Sequence, residues 1–282
     1  MIIAQITDLH IGFHGPEMGC ENTKRLESVL AELSTQTRQP DLLLVTGDLV
    51  ETGANWAYEK LKNTLDDVKF PYYLTIGNHD DREAFSKIFS DENFTDGFLQ
   101  YTIENWPLRI IVLDTLEPGR HGGAFCKTRA KWLKAELDKA PQRPTLIALH
   151  HPPIETGIGW MTASDDDEWV IRLHDVISKY DNIVHIISGH IHRSIFKRFA
   201  GTNLSVARAV APQVALDLAK IDIDTPDNRI MLVDAKAGYS LHEWDGKALT
   251  IHNGIAQDGR PILRYDDKHA FIVRLTKDLP PA

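Results

Sequence analysis

Ile2-Ile3-Ala4-Gln5-Ile6-Thr7-Asp8-Leu9-His10 is a β-branched and aliphatic run that stops on an acid and an imidazole. The same arrangement recurs along the chain. Residues 42–46 run into Gly47-Asp48, residues 72–76 into Gly77-Asn78-His79-Asp80, residues 145–149 into His150-His151-Pro152-Pro153, and residues 183–187 into Gly189-His190-Ile191-His192. Residues 109–113 form a further apolar run. Between these runs lie segments of helical periodicity at 20–37, with Leu26, Val29, Leu30 and Leu33 on one face, and at 54–68, 127–139 and 168–179. Continuous apolar strands suit a sheet covered on both faces, which points to the α/β class. Ligand sites in open α/β sheets gather beyond the carboxyl ends of the strands, so the five polar clusters should converge on one edge.

After Arg193 the texture changes. Short stretches at 195–199, 205–210, 239–244 and 270–275 read as antiparallel strands, with turns at Gly201-Thr202-Asn203, Asp245-Gly246 and Asp258-Gly259. Nothing resembling a linker divides the chain, so residues 1–282 read as one domain, with 194–282 as a β-rich extension forming a second sheet, a cap or an oligomer contact. A homo-oligomer is compatible with this reading.

The chemistry follows from the residue types. Positions i and i+2 of an extended segment project to one side, so Asp8 with His10, and His190 with His192, can each aim two groups at one point. Glycines before Asp48, Asn78 and His190 let backbone approach a compact centre without a Cβ in the way. Imidazole, carboxylate and carboxamide together suit Mn, Fe, Zn or Co better than calcium.

In this order, Asp-x-His, Gly-Asp, Gly-Asn-His-Asp, His and Gly-His-x-His resemble the five-block signature of calcineurin-like metallophosphoesterases. The blocks span residues 8 to 192. Thr75-Ile-Gly-Asn-His-Asp-Asp-Arg82 and His150-His-Pro-Pro153 are most similar to class III cyclic nucleotide phosphodiesterases and related glycerophosphodiesterases. The resemblance implies a four-layer α/β/β/α sandwich and two divalent metal ions. It further implies that Asp8, His10 and His192 bind one ion, Asn78, His150 and His190 bind the other, Asp48 bridges them, and His79 stands over the substrate as an acid. Two divalent ions less two carboxylates and a bridging hydroxide leave about one positive charge, which matches a phosphodiester monoanion.

Other residues carry weaker signals. His79 could instead support a ligand. His151 should point away from His150 and is read as a spectator. His121, in the glycine-flanked stretch after 109–113, is near enough to the edge to touch substrate. His14, His174, His185, His242, His252 and His269 lack a motif and read as ordinary surface or core histidines. Arg82 and Arg193 adjoin the blocks and suit either a phosphate oxygen or a salt bridge. Asp165-Asp166-Asp167-Glu168 precedes a helical pattern and reads as helix capping. Trp160 and Met161 are candidates for a pocket wall.

Composition limits the partners. The 282 residues are 43% hydrophobic and 25% charged, with a formal net charge of −9. That balance argues against polymeric nucleic acid, whose binding needs clustered cations. Neither Cys20 nor Cys126 lies in a metal-type pair, and no leader or membrane span is read, so a cytoplasmic chain is expected. The expected partner is a small phosphodiester. Phosphomonoesters and nucleotide pyrophosphates are alternatives on the same centre, and a non-catalytic scaffold is a third reading. Residues 210–214 lack the further histidine that helps at the substrate in related glycerophosphodiesterases.

Overall fold

The structure, a computed structural model, describes residues 1–13, 15, 21–90, 94–257 and 261–277. His14, Cys20 and the Asp258-Gly259 turn lie outside them. In chain order the first half comprises β1 (Ile2–Ile6), α1 (Glu21–Thr35), β2 (Leu42–Thr46), α2 (Asn55–Asp66), β3 (Tyr72–Thr75), α3 (Arg82–Ile88), β4 (Phe94–Thr95), β5 (Phe98–Leu99), β6 (Tyr101–Ile103) and β7 (Arg109–Val112). There follow α4 (Lys127–Lys139), β8 (Thr145–Ala148), α5 (Glu168–Ile177), β9 (Ile183–Ser188), β10 (Ile195–Phe199), β11 (Thr202–Val206), β12 (Gln213–Val214), β13 (Leu232–Val233), β14 (Gly238–Trp244), β15 (Leu249–Ile255) and α6 (Ala270–Thr276).

Two sheets carry the molecule. One has the order β15-β14-β1-β2-β3 and the other β10-β11-β9-β8-β7-β6. β1, β2 and β3 are parallel to one another, as are β7, β8 and β9. Strand alternation in the second sheet sorts its side chains into two cores. Ile110, Val112, Leu146 and Ala148 join the core shared with the first sheet, where Leu26, Leu33, Leu61 and Leu65 of α1 and α2 also pack. Ile111, Leu113, Ile147 and Leu149 face Leu133, Leu137, Val170 and Leu173 of α4 and α5. The result is helix, sheet, sheet, helix, as the resemblance implies.

The later strands complete both sheets. β14 pairs antiparallel with β1, and β11 runs parallel to β9 while pairing antiparallel with β10. The β10–β11 turn falls on Ala200 and Gly201, both at positive φ (48° and 90°), so Thr202 and Asn203 already belong to the strand. Strand β11 ends at Val206 and not near 210, because the chain then swings across the sheets. The Val210 and Ala211 amides donate to the carbonyls of Thr7 and Asp8 at 3.0 Å. The segment expected as a strand at 270–275 is helix α6. A short apolar run with no turn chemistry beside it fits either element, and among the described residues no strand lies beside it to pair with.

Candidate metal centre

Five site residues leave their strands through left-handed backbone: Asp8 (φ 52°), His10 (46°), Asp48 (48°), His190 (71°) and His192 (56°). Each such non-glycine residue costs about 1–2 kcal/mol. Core packing does not require this, so the strain serves the site. It also replaces the alternation argument. Asp8 and His10 converge, but by tight turning after β1 and not along an extended strand.

The close approach is visible at the glycines. A Cβ on Gly77 would lie 2.2 Å from Asp48 Oδ1 and 2.6 Å from His150 Nε2, and one on Gly189 would lie 1.9 Å from Thr7 Oγ1. Gly47 is confined in the same way by His150. The sequence expectation for these three positions is met.

The functional side chains form two linked clusters. His192 Nε2 lies 3.3 Å from Asp8 Oδ1, and His10 Nε2 lies 3.2 Å from His192 Nε2 and 3.6 Å from Asp48 Oδ2. On the other side His150 Nε2 lies 3.2 Å from Asp48 Oδ2 and 4.0 Å from Asp8 Oδ1. Ligand-capable atoms group within 4.8 Å as Asp8 with His10 and His192, Asp8 with Asp48 and His150, His10 with Asp48 and His79, and His150 with His151 and His190. Asp8, His10, Asp48 and His150 thus each belong to two groups. Outer atoms hold the rings in place: His150 Nδ1 on the Thr46 carbonyl (2.8 Å), His192 Nδ1 on the Pro212 carbonyl (2.7 Å), and the His190 amide donating to Asp8.

Electrostatics favour a cation here. Burial raises the Asp48 carboxyl, yet His150, His10 and His79 outweigh it and hold the group well below the usual carboxylate range. Burial opposes charge on His150, but Asp48 and Asp8 push its imidazole up to about 9. His190 is held well below its ordinary value by burial and by the neighbouring His151 and His150. His190 Nδ1 is buried with no hydrogen-bond partner, and His150 Nε2 has only the Asp48 and Asp8 carboxylates near it. An unpartnered imidazole nitrogen beside buried carboxylates is what a divalent ion would satisfy, so the donor set fits metal.

A model of the calcineurin-like phosphoesterase family matches residues 1–194. The chain belongs to that family. Calcineurin-like phosphoesterases are metal-dependent hydrolases that use two divalent ions, and the acid–imidazole clusters suit them. A probable glycerophosphodiester phosphodiesterase of Arcobacter nitrofigilis is 30% identical over 96% of this calcineurin-like chain and 100% of its own length. A probable cyclic nucleotide phosphodiesterase of Rhodopseudomonas palustris is 32% identical over 89% of this chain and 96% of its own. The fold is shared with a dimetal phosphatase from Danio rerio, at TM-score 0.60 and 14% identity, covering 91% of this chain and 99% of that one.

The remaining residues sort as follows. His79 lines the cleft, with Nδ1 2.9 Å from the Glu51 carbonyl oxygen and its amide donating to Asp48 Oδ1 at 2.9 Å. Asn78 Oδ1 lies 3.1 Å from His151 Nε2. His151 does not point away: β8 ends at Ala148, so strand alternation no longer governs it, and its ring centroid lies 4.6 Å from that of His190. His121 borders the cleft, 4.9 Å from the His190 ring. Arg82 is committed to Asp114 through two bonds of 2.7 and 2.8 Å, and Arg193 donates to the Val214 carbonyl. Asp167 occupies the N-cap position of α5, but its side chain accepts from the Ser164 amide and caps no helix N–H. The sequence reading missed Glu51, whose Oε2 lies 2.7 Å from His10 Nδ1. An acid three residues past Asp48 was the available signal.

Proposed function

We propose that the chain is a dinuclear metal-dependent phosphodiesterase acting on small diesters, with cyclic nucleotides foremost. The observation that carries this reading is the set of buried acid–imidazole clusters linked through Asp8, His10, Asp48 and His150, with an unsatisfied buried nitrogen on His190. Asp8, His10 and His192 would hold one ion, Asn78, His150 and His190 the other, and Asp48 would bridge them. Bound there, two ions would supply a water activated to hydroxide near neutral pH and positive charge for the phosphoryl oxygens.

The protein's own groups would do the rest. Glu51 fixes the His10 ring through Nδ1, and the Glu51 carbonyl accepts from His79 Nδ1, which leaves His79 Nε2 to hand a proton to the departing alkoxide. The names of the relatives support diesters over monoesters. Residues 210–214, where related glycerophosphodiesterases have a further histidine, contain none here, and the Gln213 amide nitrogen is spent on the Ala209 and Ala211 carbonyls. Glycerophosphodiesters are the second reading, favoured by the full-length match to the Arcobacter protein. Residues 1–282 would act as one domain in the cytoplasm; among the described residues no helix is long and apolar enough to cross a membrane.

The test is removal and return of metal, read on cyclic nucleotides, glycerophosphodiesters and monoesters in parallel. Chelation should abolish diester hydrolysis, and Mn, Co or Zn should restore it. Full activity in metal-free protein would sink the mechanism, and turnover of monoesters alone would sink the substrate class.

A further inference from the structure

We infer that the apolar side of the cleft is a shelf for a nucleobase, with the Trp160 indole as its stacking face, an inference that rests on the phosphodiester reading above. The cleft has two unlike halves. His10, Asp48, His79, His190 and His192 line one, and Phe13, Trp160, Met161, Val214 and Leu232 line the other. The apolar half is assembled from three separate connections: the turn after β1, the loop between β8 and α5, and the β12–β13 pair. Contacts between these connections keep the half together. Leu218 reaches to 3.3 Å from where a Cβ on Gly157 would stand, and Ile221 to 3.4 Å from one on Gly159.

Met161 and Val214 belong to the core and Trp160 packs against it, but core packing does not account for Phe13 and Leu232. Phe13 is 46% and Leu232 48% exposed, in the same cleft as the aspartate and histidine cluster. Apolar side chains left open next to a phosphate-binding centre have a use if the substrate brings an apolar body attached to its phosphate. A planar base needs no charged partner, since every base offers a face to an indole.

The test is calorimetric binding of AMP and of ribose 5-phosphate to manganese-loaded protein. The two share phosphate and sugar and differ in the base. AMP should bind roughly 10-fold more tightly to the wild type, the size expected for one base–aromatic stack. Trp160→Ala should bring the ratio close to one without changing the affinity for ribose 5-phosphate, and Trp160→Phe should restore most of the ratio. Equal affinities in the wild type, no AMP binding, or a ratio untouched by Trp160→Ala would each overturn the shelf. Failure of the diester reading would look different: the enzyme would turn over monoesters but neither cyclic AMP nor glycerophosphoethanolamine, whatever the two affinities were.

Discussion

At His79 the backbone and the ring have separate commitments. The amide holds Asp48 and the ring nitrogen Nδ1 faces the Glu51 carbonyl, so truncating the side chain leaves the Asp48 contact standing. His79→Ala should therefore lower turnover by roughly 10²- to 10⁴-fold with metal content unchanged. The loss should be smaller for a nitrophenyl diester, whose leaving group departs without a proton. Equal losses on both substrates, or a missing ion, would reassign His79 to positioning or ligation. Asp48 Oδ2 lies 3.6 Å from His10 Nε2 on one side of the centre and 3.2 Å from His150 Nε2 on the other, whereas Asp8 Oδ1 is 3.3 Å from His192 Nε2 but 4.0 Å from His150 Nε2. Asp48→Ala should accordingly lose more bound metal than Asp8→Ala, as measured by elemental analysis, and two ions retained in Asp48→Ala would refute the bridge. Asp8, His10, Asp48, Asn78, His79, His150, His190 and His192 could all be picked out from the sequence because each stands at the end of an apolar run. Glu51 and His151 could not be placed so easily. Glu51 returns to His10 only because the segment after β2 bridges to Ile11, a tertiary contact that no local spacing encodes.

Among the elements, helix α3 shows how a short unit without much apolar surface is fixed. Its seven residues are preceded by the N-cap Asp81, whose side chain accepts from the Ala84 amide, and its first residue, Arg82, forks onto the fully buried Asp114 and the Leu116 carbonyl. Arg82→Lys should keep the charge but lose the fork, costing about 2 kcal/mol in chemical denaturation. Because Asp114 keeps the Arg129 guanidinium at 3.8 Å and the Leu99 and Leu116 amides, the cost should stay below that of stripping a lone buried carboxylate. An unchanged denaturation midpoint would show that Arg129 suffices. Helices α1, α2, α4 and α5 were readable from their periodicity. Helix α3 was not, since seven residues give too few turns to display a face, and α6 was misread as a strand for the same reason.

Over the whole molecule, the space between the two sheets is not purely apolar. His242 of β14 bonds to Gln5 of β1, which reaches the Ser188 carbonyl of β9, and His185 bonds to Ser205. Burial holds the His185 imidazole down to about 4, and burial together with His185 holds His242 down to about 3. Both are neutral in the folded chain and titrate near 6.5 when unfolded, so the unfolded state binds more protons between those values. Stability should be full above pH 6.5 and fall as the pH drops from 6.5 towards 3. A urea series on metal-loaded protein should show this slope reduced in His242→Gln, and identical slopes would exclude His242 as a source. The sheet order bears on something else, the making of the protein. Strand β1 lies between β2 and β14, with Ile2 set against Glu243 and Ile3 against Leu42. Strand β1 must therefore wait with one edge open until β14 is translated, and Asp8 must wait for His192. Pairing across that much chain is slow and leaves an aliphatic edge sticky in the interval. A fragment stopped at residue 194 would contain every candidate ligand and yet keep that edge bare, so it should precipitate where the whole chain stays in solution.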